Sequence, residues 1–333
     1  MREILQGVKA LFWNEAEQRL RAPLRFAAMF GLFLFALSMI ELLGVVVGSA
    51  IPTSGSGAVY ATAILQLGQL AILVGAILAF AWVIDRRRLS DFGLTFDRQW
   101  WRDLLFGTLL GGVMAGTAVA LAVVSGLATI GGTFVVRDTA FVDTVSVPAG
   151  TVLGFLLFVL VAILWEVVFR GYVLVNVAEG LDGVVDEGRT AIVFALVVSS
   201  VLFGLINAAL PDASAVGILT GTLLGFVLGV AVLCTERLAI PVGLHAAWGV
   251  TLGPVFGTTV DGLDSPTALL DVELGEPIVL SGGTFGVEGG LLALVSIALG
   301  AGALVWWLRA HDTLAIRETI TEPDLWIVDD PDT

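Results

Sequence analysis

Eight stretches of this chain stay apolar over about the 20 residues that a helix needs to cross a bilayer core. They lie near residues 26–50, 58–84, 104–130, 150–175, 190–210, 214–234, 238–256 and 289–308. Lipid cannot hydrogen-bond the open edge of a strand, so each stretch is expected to be a helix. Composition agrees, with 57% hydrophobic and only 14% charged residues, against about 25% charged in an ordinary soluble domain. So much apolar surface cannot be hidden in one water-soluble core of 333 residues. A soluble enzyme and a disordered chain are excluded. The expected fold class is all-α, a polytopic membrane protein of about eight transmembrane helices.

Charge sets the expected orientation. With the N-terminus in the cytoplasm, every basic residue except Arg137 falls on the cytoplasmic side, as the positive-inside rule favours. The expected localisation is therefore the cell membrane, multi-pass, with both termini cytoplasmic. The net charge is −14, and no basic cluster stands outside the membrane flanks, which excludes nucleic acid as a partner. Such an acidic excess suits a surface kept hydrated in strong salt, so a halophilic microbial source is expected. The single cysteine, Cys234, can form no intrachain disulfide.

Three segments follow. Residues 1–25 place Ile4, Leu5, Val8, Leu11 and Phe12 at helical spacing, which predicts an amphipathic helix on the cytoplasmic leaflet. Residues 26–308 form the membrane domain. Residues 309–333 form an acidic tail ending in Asp329, Asp330 and Asp332, expected to be mobile. Gly217, Gly221, Gly225 and Gly229 recur every fourth residue in the sixth span and predict close helix approach. The acidic, glycine-rich 257–288 stretch reads as a solvated external loop.

Ionisable groups inside a membrane are costly and point to function. Here they are Glu41, Glu166, Arg170 and His245, with Asn207 closing the fifth span. Gln66 and Gln69 read as interhelical hydrogen-bond formers. Glu166 and Arg170 are four residues apart and can pair on one helix face. Spacing alone leaves open whether that pair is structural or functional.

The run Trp165–Gly171, W-E-V-V-F-R-G, resembles the first motif, E-E-x-x-x-R, of the CPBP family. These are the CAAX-processing and bacteriocin-processing intramembrane proteases. The second family motif, F-x-x-x-H, aligns with Phe203–Asn207, and the third, H-x-x-x-N, with His245–Gly249. The resemblance covers about residues 85–308, with its motif core in 150–256. It implies a type II CAAX prenyl endopeptidase-like bundle that cleaves membrane-associated or prenylated peptides. It also implies a site at Glu166, Arg170, Asn207 and His245. Implied partners are the lipid bilayer and a hydrophobic or lipidated peptide or membrane protein.

Three motif positions depart from the family. By the resemblance, Trp165 and Asn207 replace the glutamate and histidine that activate water, and Gly249 replaces an oxyanion-supporting asparagine. Trp offers no base, and Asn cannot take a proton near neutral pH. A lost oxyanion donor typically costs ~10²–10³ in rate. The family is often described as metal-dependent, but catalytic zinc usually has three protein ligands. Only His245 and Glu166 offer themselves within the membrane, so no cofactor is expected. The reading is a pseudo-protease, a homologue with impaired or silent catalysis. One alternative is an active endopeptidase with Glu166 and His245 in a rearranged site. A weaker one is a small transporter or channel, although no internal repeat of the transporter kind is visible.

Overall fold

The computed structural model describes residues 12–15, 17–49, 56–137, 145–182, 185, 188–262 and 265–326, with side chains of the second helix described from Tyr60 onward. Within them, the chain begins its bundle with helices α1 (Ala22–Gly48), α2 (Ser56–Val83) and α3 (Arg98–Val124). Next come α4 (Val147–Glu166), a π-helical stretch (Val167–Leu174) and α5 (Val175–Leu181), which together make one long span. The bundle is completed by α6 (Gly188–Ile206), α7 (Ala215–Thr235), α8 (Ala239–Val250) and α9 (Leu292–Ala310). Seven of these spans are long and apolar enough to cross a membrane. The eighth apolar helix, Ala239–Val255, is shorter: at 1.5 Å per residue it covers roughly 25 Å. The chain is an all-α polytopic membrane bundle.

Glycine allows close packing at several helix pairs, two of which bear on the site. Along α7, a methyl group on Gly225 would sit 3.0 Å from the Ser200 Cα of α6, so the expected close approach is realised. The sequence reading missed the second pair, α3 with α8. There Gly107 and Gly111 face the Ile240 and Leu244 carbonyls, and Gly243 faces the Leu104 carbonyl, with no room for a side chain. This contact fixes the helix that carries His245. Gln69 on α2 donates to the Ile40 carbonyl of α1 at 2.9 Å, the interhelical role expected of it. Glu41 lies on the exposed face of α1.

At the arginine-rich end the fold departs from expectation. Residues 1–11 lie outside the described residues, but strand β1 (Trp13–Asn14) pairs antiparallel with strand β2 (Arg19–Leu20), so this part of the expected amphipathic helix is extended. The reason is electrostatic. Arg19, Arg25 and Arg87 are buried rather than spread on headgroups. Arg19 binds Glu17 at 2.7 Å and Glu179 at 2.6 Å, and Arg25 lies 3.4 Å from Asp85. Arg25 and Arg87 also reach Glu179. Burial pushes the Asp85 carboxyl above its ordinary value, and the neighbouring guanidiniums oppose that rise.

The opposite end carries the main exception to an all-helical chain. Strands β3 (Ala128–Val136) and β4 (Thr267–Leu274) pair antiparallel, with an irregularity between Ile130 and Gly132. The third span accordingly stops at Val124, six residues short of expectation, and Gly126 turns the chain with φ +74°. Nor is the 257–288 stretch simply solvated, because Ser265, Thr267, Ser281 and Glu288 are all buried. The tail differs as well. Residues 311–326 lie against the bundle, with Ile320 and Leu325 buried, whereas the terminal acids fall outside the described residues.

Candidate active site

The site begins where α4 gives way to π-helical turns at Val167–Leu174, a backbone irregularity often found at functional positions. Glu166 and Arg170 are completely buried there. Arg170 Nη1 donates to Glu166 Oε1 at 3.2 Å, and Nη2 donates to the Gly225 carbonyl at 3.1 Å. The guanidinium carbon also sits 4.2 Å from the centroid of the Phe203 ring. A cation over an aromatic face gains from the ring quadrupole, most of all when desolvated.

His245 approaches the same carboxylate from α8. Its Nδ1 lies 2.8 Å from Glu166 Oε1, the oxygen that also accepts from Arg170. Phe203 meets the imidazole edge-on, with centroids 5.6 Å apart. Three of the four expected site residues therefore converge across α4, the π-helical stretch and α8. The fourth does not join them. Asn207 lies one turn beyond Phe203, and its amide donates to the Gly217 carbonyl at 3.0 Å.

The positions that depart from the motifs are filled by packing. Consecutive helical residues point about 100° apart, and Trp165 turns from Glu166 toward Phe33 and Phe169, at centroid distances of 6.2 and 5.8 Å. At Gly249 a methyl group would sit 2.6 Å from Phe158 Cδ1. The Phe158 ring takes the room that an asparagine side chain would need.

Two acids that the sequence reading left to solvent also belong to this region. The Asp261 backbone N–H donates to Glu288 Oε1 at 2.5 Å, and the Thr220 hydroxyl donates to the Glu288 carbonyl at 2.5 Å. Burial pushes both carboxyls above their ordinary values. Asp261 raises Glu288 further, while nearby His245 opposes the rise at Asp261. The available signal was local: Glu288 sits among Gly286, Gly289 and Gly290, a backbone able to fold against α7 without side-chain obstruction.

Chemically, Glu166 holds the imidazole by Nδ1 and leaves Nε2 as its unbound nitrogen. The Glu166 oxygen that touches His245 is the one that already accepts from the Arg170 guanidinium. A resident metal ion does not fit this donor set. Glu166 Oε1 and His245 Nδ1 are bonded to each other, a guanidinium sits on the same oxygen, and Asn207 is turned to Gly217. Among the described residues, no group of three His, Cys, Asp or Glu side chains is arranged to hold a metal ion.

Residues 146–251 match the family described as Type II CAAX prenyl endopeptidase Rce1-like. The matched segment contains Glu166, Arg170, Phe203, Asn207, His245 and Gly249. No curated protein and no solved structure matches the chain.

Proposed function

We propose, from this chain's membership of the CPBP family of intramembrane proteases, that it is a hydrolytically impaired member which binds a hydrophobic or lipidated polypeptide. One observation carries the reading: the carboxylate that touches His245 is already held by Arg170. Water activation needs a base able to take a proton, and Trp165 and Asn207 offer none. The glycine contacts that hold the helices of the bundle close together remain. Binding is tested with the purified full chain in detergent, using a prenylated CAAX-type peptide and its unmodified twin. Saturable retention of the prenylated peptide alone is expected. Equal, non-saturable retention of both peptides would count against a binding role.

A second reading has one observation in its favour, the 2.8 Å contact between Glu166 and His245. A carboxylate that orients an imidazole can prepare it as a general base, so an endopeptidase with a rearranged site is the competing outcome. We further propose that the arginine-rich end faces the cytoplasm, because basic flanks are retained on that side.

A further inference from the structure

The segment that follows α9 folds back across the arginine-rich end. The Arg317 backbone N–H donates to the Leu233 carbonyl at 3.0 Å, and its Nε donates to the Cys234 carbonyl at 3.3 Å. Ile320 and Leu325 are buried as apolar anchors. The Asp324 carbonyl accepts from the Arg88 N–H at 3.0 Å, and the Asp324 N–H donates to Asp91 at 3.2 Å. Trp326 donates from its backbone to the Arg86 carbonyl at 3.0 Å and from its indole to the Trp82 carbonyl at 2.8 Å.

A cavity of about 300 Å³ lies under this segment. Arg170 and Gly171 form part of its wall, and Thr319, Ile320, Glu322 and Asp324 form another part. The cavity thus joins the buried Arg170 region to the arginine-rich end, with the tail across it. Three of the tail's bonds run from main chain to main chain, at Leu233, Arg86 and Arg88. Main-chain pairing of this kind carries affinity without demanding a particular sequence, so one extended chain can take the place of another.

We propose that residues 317–326 are an intramolecular strap that closes this route to Arg170 and gives way to an extended segment of a membrane-attached polypeptide. The closure stands whether or not the site hydrolyses peptides. Two buried anchors in a segment otherwise exposed or half-buried make its opening a local event, far easier than global unfolding.

Cys234, the one cysteine of the chain, is a built-in reporter. It is 3% exposed and lies beneath Ala315 and Arg317 of the same segment. The experiment follows its modification by a small maleimide in the detergent-solubilised full chain, in Ile320→Asp and in the milder Asp324→Ala. A monodisperse elution profile serves as the control for folding. Wild type should react slowly, and Ile320→Asp roughly tenfold faster or more, as expected when a local opening equilibrium is released. Asp324→Ala should fall between them. A synthetic peptide of residues 317–326 should restore protection to Ile320→Asp. Equal rates in wild type and both folded variants would overturn the strap, and failure of the peptide to protect would overturn its exchangeability.

Discussion

A guanidinium and a carboxylate that leave water together recover the cost only when their polar atoms find partners. Arg170 finds Glu166, the Gly225 carbonyl and the face of Phe203, while Glu166 adds His245. Arg170→Ala leaves a buried acid with half its support, and breaking such a pair costs about 3–5 kcal/mol. Glu166→Gln keeps the shape and an acceptor, so its thermal midpoint should fall by less. Equal midpoints for the two variants would contradict the pair. The pairing was legible in the sequence because a four-residue interval places both groups on one face. The contact with His245 was not, since no helical period connects residues 79 apart in the chain. Nor could spacing reveal that Phe158 occupies the room beside Gly249, because that depends on how α4 packs on α8.

At the level of elements, the spans were legible to within a few residues because the bilayer sets a minimum apolar length. The strands were not. Ala128–Val136 carries adjacent glycines, and its partner Thr267–Leu274 lies far along the chain, so no hairpin signal exists. The Asp261–Glu288 pair escaped notice for a related reason, as an acidic, glycine-rich run reads as solvent-facing until α7 is placed beneath it. The folded state raises both carboxyl values, so it binds protons more tightly than the unfolded chain. The stability this contributes is fully present below the ordinary carboxyl value and is lost as pH rises through the raised one. The thermal midpoint of wild type should therefore fall as pH climbs above the ordinary glutamate value of 4.5. Glu288→Gln should flatten that fall. An unchanged slope in Glu288→Gln would show that another group controls it.

Over the whole molecule, one end gathers the arginines and the tail, and the other carries the β3–β4 sheet and the buried acids. The positive-inside pattern places the basic residues at the membrane flanks, yet Arg19, Arg25 and Arg87 enter a buried ion network. Orientation is tested with single cysteines in a Cys234→Ser background. An impermeant reagent applied to intact cells should label Glu273→Cys and spare Asp312→Cys, and the reverse pattern would invert the topology. Peptide cleavage decides whether the proposed loss of water-activating chemistry is real. Purified wild type, Glu166→Gln and His245→Ala are each incubated with prenylated CAAX-type peptide, and product is followed by mass. Wild type should yield no product above the level of the two variants. Wild-type cleavage that disappears in Glu166→Gln or His245→Ala would contradict the proposed loss.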